Sequence, residues 1–258
     1  MIDSVRLAFG LLSVLPAGMP SQVDRTVGRR AMILAPLVGA VLGGVAAGVV
    51  TLAQLLRPDA DLLAAVLGVL VVAGLSGGLH LDGLADFADA LGSRRDRETM
   101  LRIMKQSDIG PFGVVSIVAV LLIDVAALTA CLQADVGWQA ILIATTASRL
   151  TLPWTCRTTV PSARPDGLGV LVAATVRPRT ALLTTFAVLA CTAALSWLTL
   201  SIAATAATAL AVLLAVLTAL ATTRRARSAL GGTTGDVLGA AIELALPLTL
   251  TVLALTVH

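Results

Sequence analysis

The chain is short of charge. Asp, Glu, Lys and Arg make up 13% of its 258 residues, about half the roughly 25% of an ordinary soluble domain. Residues 31–56 and 180–223 contain none of the four. A soluble enzyme with a large core does not leave such runs unbroken, so that class is excluded. Cysteine is scarce as well. Cys131, Cys156 and Cys191 have no Cys-x-x-Cys spacing, and lying in or beside apolar segments they are expected to be small buried apolar residues. Alternating runs long enough for membrane strands are missing, which excludes a barrel. No cleavable signal peptide is visible, since Asp3 and Arg6 precede only a short apolar stretch before Pro16.

What is present is apolar: 57% of the residues are hydrophobic. The run 180–223 is long enough for two spans of about 20 residues each. The expected fold is therefore all-α, a polytopic membrane helical bundle in one domain, residues 1–258, with about seven transmembrane helices. The spans are expected near 33–55, 62–79, 112–132, 138–155, 181–199, 203–222 and 238–256. Residues 1–18 are too short to cross and are expected in the interface. Gly39, Gly43 and Gly44 in the first span favour close helix approach.

Seven spans place residues 1–30, 80–110, 156–180 and 224–236 on one side, and these hold 16 of the 18 Lys and Arg residues. Cytoplasmic loops carry the excess of Lys and Arg. That side, with the N-terminus, is therefore expected in the cytoplasm, and the net charge of +3 is a matter of topology, with no nucleic acid implied.

The chemistry is concentrated in residues 77–92, GGLHLDGLADFADALG. Asp82, Asp86 and Asp89 are spaced i, i+4, i+7, so a helix puts all three on one face. Stacked anions repel, and a divalent cation relieves them. Mg2+ takes oxygen ligands while leaving room for water and substrate phosphates. Gly83 is expected to let a ligand approach the backbone, and His80 is a candidate proton carrier or ligand. The bland alternative is a solvated acidic face at a membrane edge.

Cations follow on the same side, among them Arg102 and Lys105, although positive-inside topology alone would place them there. Arg149 lies inside an expected span, where a charge is costly and marks function. A phosphate or carboxylate partner is expected for it. The turn Thr233-Thr234-Gly235-Asp236 opens the last span. Asp236 can cap that helix, and a glycine-rich helix N-terminus also offers N–H groups to phosphate. Glu243, two turns further on, faces the same way. Asp124 lies deep in the third span, paired with Arg149 or another group, or facing a cavity.

Together these segments resemble the cobalamin synthase family, the adenosylcobinamide-GDP ribazoletransferases of the inner membrane. The resemblance is carried by GGLHLDGLADFADALG, by Met104…Ile109-Gly110…Phe112-Gly113, and by LGGTTGDVLGAAIEL at 230–244, with Arg149 and Gly167-Leu168-Gly169 also matching. Ala90, Gln106, Asp108 and Asp124 depart from the family pattern. The resemblance implies that the 5′-hydroxyl of α-ribazole, or the corresponding group of α-ribazole 5′-phosphate, attacks adenosylcobinamide-GDP. GMP leaves, and adenosylcobalamin or its 5′-phosphate forms in the nucleotide-loop step of vitamin B12 biosynthesis. On this reading the active site is at the cytoplasmic face, with His80, Asp82, Asp86 and Asp89 catalytic and the three aspartates on Mg2+. Gly83, Arg102, Lys105, Arg149, Thr234, Gly235, Asp236 and Glu243 would contact substrate. The lipid bilayer is a partner, and association with other cobalamin-assembly enzymes is a further expectation. Two alternatives remain at this point: another membrane CDP-alcohol-type phosphotransferase, which shares the acidic motif, and a transporter coupled through Asp124, Arg149 and Glu243.

Overall fold

The computed structural model describes residues 1–256. Twelve helices follow one another among them: α1 (Ile2–Leu12), α2 (Arg25–Leu56), α3 (Asp61–Leu75), α4 (Leu79–Gly92), α5 (Arg97–Ile103), α6 (Pro111–Gln133), α7 (Gly137–Arg149), α8 (Thr151–Thr155), α9 (Leu168–Val172), α10 (Pro178–Thr199), α11 (Ile202–Leu230) and α12 (Gly235–Thr256). No named strand occurs among the described residues. The all-α membrane bundle is what the charge-free runs require: with no water in the hydrocarbon, each segment must satisfy its own backbone.

Local chemistry sets the boundaries. The Asp24 carboxylate accepts the amides of Thr26 and Val27 to start α2, and Ser201 accepts Ala204 N–H to start α11. Pro111 and Pro178 open α6 and α10, where their missing N–H leaves nothing unpaired. Gly231, at φ +79°, closes α11 in the left-handed conformation that residues with a Cβ resist.

Among the described residues five helices are long and apolar enough to cross a membrane: α2, α6, α10, α11 and α12. The expected span 62–79 is instead α3, followed by a turn through Gly77 and Gly78 at positive φ and then α4, bent 86° from α3. Counted as one crossing, the pair brings the total to six. The expected span 138–155 is divided into α7 and α8 at Leu150, so the count of seven is not reproduced. The physical reason lies in the sequence of these pieces. Two consecutive glycines end α3, and the polar Ser148-Arg149 pair with Pro153 breaks the other segment.

The outside of the bundle is apolar. Leu52, Val115, Leu122, Leu183, Phe186, Leu198 and Leu217 are all exposed, as lipid contact requires. Inside, Gly39 and Gly43 bring α2 against Thr145, Leu142 and Arg149 of α7. Gly44 faces open space instead, so its expected packing role falls away. Cys131 and Cys156 are buried as expected, whereas Cys191 is exposed on α10, because that face of the helix points away from the core.

The segments that the charge count put on one side are tied together at one end of the bundle. Arg97 donates to the carbonyls of Leu230 (2.7 Å) and Ala163 (3.1 Å). Arg164 donates to Leu101 O at 3.1 Å. Arg25 bonds the carbonyls of Val170 and Ala173. Thr233 exchanges backbone bonds with Pro161 and Ala163, each at 2.9 Å. The basic residues thus close the loops over this end by taking up free carbonyls.

Candidate active site

At that end α4 crosses the start of α12, and two glycines make the crossing possible. A Cβ on Gly83 would lie 2.8 Å from the Asp236 carbonyl oxygen, and one on Gly239 would lie 3.1 Å from the His80 backbone. The close approach expected at Gly83 is therefore to α12 and not to a ligand. Its consequence is chemical: it sets the acidic face of α4 beside the first turn of α12.

Three carboxylates gather there. Asp82 is exposed and Asp86 half-buried, and neither accepts a protein hydrogen bond among the described residues. Burial first, then Asp82, Asp236 and Asp89, oppose negative charge on Asp86, while Arg164 favours it. Asp82 likewise opposes charge on Asp236. Arg164 Nη1 stands 3.5 Å from Asp236 Oδ2.

Asp89 has a structural task that the spacing did not reveal. Its Oδ2 accepts Gly110 N–H at 2.7 Å and its Oδ1 accepts Gly113 N–H at 2.9 Å. Gly110 is the N-cap of α6 and has no side chain to cap it, so Asp89 reaches across from α4 and does so. Each oxygen accepts one of these amides and keeps a second lone pair. No group of three His, Cys, Asp or Glu side chains among the described residues is arranged to hold a metal. Asp82 and Asp86, in contrast, do fit an ion that binds through one or two carboxylates plus substrate phosphate.

The last motif also differs in detail. Thr234, not Asp236, caps α12: its Oγ1 accepts Val237 N–H at 3.3 Å and lies 3.2 Å from Asp236 Oδ2. Asp236 sits in the first turn, where the helix dipole favours an anion.

Two cavities meet at Asp82. One, about 250 Å3, is a largely apolar cleft between α1, α2, α4, α8, α9 and α12, with Asp82, His80 and Asp236 among its lining. The other, about 150 Å3, is polar, formed by Asp82, Asp86, Gln106, Ser107 and Asp108 with Ala85 and Ile109. Gly235 lines the first.

Other expected residues stand elsewhere. Arg149 and Glu243 are buried inside the bundle and line neither cavity. Arg149 Nη1 donates to Ser148 Oγ at 3.0 Å, with Glu243 and Asp124 in Coulombic reach of the guanidinium. Neither carboxylate bonds it: Nε and Nη2 of Arg149 and both oxygens of Asp124 are buried without a hydrogen-bond partner among the described residues, and no phosphate could reach the guanidinium without opening the core. His80 links the two regions, since its Nδ1 is 3.9 Å from Glu243 Oε1. Arg102 is exposed on α5. Lys105 Nζ is paired at 2.9 Å with Asp166 Oδ2, and that hydrogen bond, then the lysine charge, holds the Asp166 carboxyl below its ordinary range.

Sequence reasoning missed Arg164, which it counted only as a topology charge, and missed α1, read as an interfacial helix. The Gly167-Leu168-Gly169 match was the available signal for the first: a Cβ on Gly169 would lie 3.0 Å from Thr233 O, and this close approach brings the 156–180 loop to the site.

A family model described as CobS, cobalamin-5-phosphate synthase, matches residues 4–254. The chain belongs to this family. It is 42% identical over 267 residues to a protein of Frankia casuarinae named adenosylcobinamide-GDP ribazoletransferase, covering 100% of this chain and 96% of the relative. Proteins of the same name from Nocardioides sp. (37% identical; 97% of each chain) and Pseudomonas paraeruginosa (38%; 94% of each) are also similar. No solved structure matches. Family membership sets aside the CDP-alcohol and transporter alternatives.

Proposed function

We infer that this chain joins adenosylcobinamide-GDP to α-ribazole or α-ribazole 5′-phosphate and releases GMP, completing the nucleotide loop of cobalamin. The observation that carries the reading is Asp82, a carboxylate free of protein donors at the shared wall of an apolar cleft and a polar pocket. A transferase needs two substrates to meet at one charged group, and this wall is such a place.

The identity of the nucleophile needs correcting. The family description names a product that keeps a 5-phosphate. A 5′-oxygen that carries phosphate cannot attack, so the attacking group is another hydroxyl of the ribose, and the same hydroxyl serves when the 5′ position is free. Its oxygen bonds to the corrinoid-side phosphorus. The bond from that phosphorus to the bridging oxygen breaks, and GMP leaves with that oxygen.

Asp236 is placed to receive the hydroxyl proton. Its Oδ2 faces Arg164 and Thr234, while Oδ1 accepts nothing from the protein among the described residues. Arg164 favours the ionised carboxylate, the form that can accept a proton. Asp82 and Asp86 are the residues that would hold Mg2+. When bound, the ion would supply charge neutralisation on the diphosphate. The α4–α12 crossing holds these groups on two rigid helices, which is the positioning such chemistry depends on.

The basic end of the bundle is assigned to the cytoplasm of the cell membrane, with the N-terminus inside. The support is the Lys and Arg excess there. The deciding assay is GMP release from adenosylcobinamide-GDP by the purified protein. Release that requires both the ribazole substrate and Mg2+ is expected. Release without a ribazole acceptor, or none at all, would sink the reading.

A further inference from the structure

We propose that the apolar cleft beneath α1 seats the benzimidazole base of the incoming nucleoside, so that the two substrates approach Asp82 from opposite sides. The assignment rests on the transferase reading above and adds which substrate goes where.

Size limits the occupant first. About 250 Å3 lies just under the roughly 300–1,000 Å3 of sites that enclose drug-sized ligands. A bicyclic base fits, whereas a corrin macrocycle with its amide side chains does not. Chemistry then chooses between the two bases the reaction offers. Leu11, Met32, Leu152, Leu168, Leu238 and Ile242 form the walls. Such walls give guanine no partner for its amide and amino groups, and burying those unpaired is costly. A dimethylbenzimidazole has no N–H donor once attached to ribose and gains by leaving water. The polar groups of the cleft are at Asp82, Asp236 and His80, which suits a ribose with hydroxyl groups to present. The base then points away toward α1, and one ribose hydroxyl meets the carboxylates. The diphosphate is left the opposite, polar side of Asp82.

Two lining residues allow the idea to be tested without disturbing packing. Gly10 lines the cleft, and a Cβ there would meet no heavy atom within 4 Å. Leu79 also lines it and is 55% exposed. Gly10→Leu, which fills space, is expected to raise KM for α-ribazole on the order of tenfold, with KM for adenosylcobinamide-GDP changed less than about twofold. Leu79→Ala is expected to raise the same KM by a smaller factor. Equilibrium dialysis of the detergent-solubilised wild type reads binding alone and needs no variant. α-Ribazole is expected to bind without corrinoid, with adenosine a poor competitor because its purine brings polar groups to the same walls. The assignment is overturned if Gly10→Leu raises both KM values equally or neither, or if adenosine competes as well as α-ribazole. Those results would leave GMP release by the wild type intact, whereas a wild type that releases no GMP overturns the transferase reading and this assignment together.

Discussion

The protein carries two groups of acidic side chains about an arginine, and they differ in almost everything except composition. Asp82, Asp86 and Asp236 stand at the end of the bundle, reach two cavities, and have Arg164 at their edge. Asp124 and Glu243 are enclosed with Arg149 in the interior, where Asp124 and Arg149 have no exposed surface. In the first group charge is available to a ligand. In the second it is enclosed, and opposite charges near one another in low dielectric limit the cost of burying them. Access to a cavity, more than residue type, divides the two groups.

The comparison breaks most visibly if Arg149 is replaced. Arg149→Leu leaves Asp124 and Glu243 enclosed without a countercharge, and about 3–5 kcal/mol of stability should be lost. Thermal unfolding in detergent measures this. Adding Asp124→Asn and Glu243→Gln should recover much of the loss, and unchanged melting of the single variant would remove Arg149 from the interior group.

Asp82→Asn tests the other side. GMP release should fall at least about a hundredfold, or ~2.7 kcal/mol in the barrier, while membrane insertion and melting stay normal. Asp86→Asn should act in the same direction. Near-normal rates for both at limiting Mg2+ would return this face to mere solvation.

Asp89 sharpens the comparison, being on the acidic face yet structural. Asp89→Ala frees two amides at the start of α6, and hydrogen bonds to charged groups are worth about 1.5–3 kcal/mol. The loss should appear in stability, and the Mg2+ concentration giving half-maximal activity should not move. Thr234→Ala is smaller still. It removes the α12 cap, worth about 0.5–2 kcal/mol, and activity per folded molecule should hold, whereas Asp236→Asn should lower turnover with little effect on folding.

The smallest effect is expected at Lys105. Asp166 is held below its ordinary 3.8, so the pair's contribution is present above that pH and is lost as pH falls through the folded value. Lys105→Ala should leave GMP release unchanged between about pH 6 and 8 and move the Asp166 titration upward by NMR. A large loss of turnover would instead place Lys105 on substrate.

The sequence alone determined that the chain lies in a membrane, since runs without charge permit no other solvent, and that Asp82, Asp86 and Asp89 share a helix face, since spacing in a helix fixes direction. It also pointed to which loops share one side, through the distribution of Lys and Arg. Only the tertiary structure decided what each carboxylate does there. The 86° turn after Gly77-Gly78 and the Gly83–Gly239 crossing are long-range packing events, invisible to local periodicity. They bring Asp236 and Arg164 to Asp82 from more than seventy residues away, turn Asp89 toward the amides of α6, and leave Arg149 and Glu243 sealed inside. A helical pattern fixes the face a side chain is on; what lies opposite that face depends on how the other helices close over it.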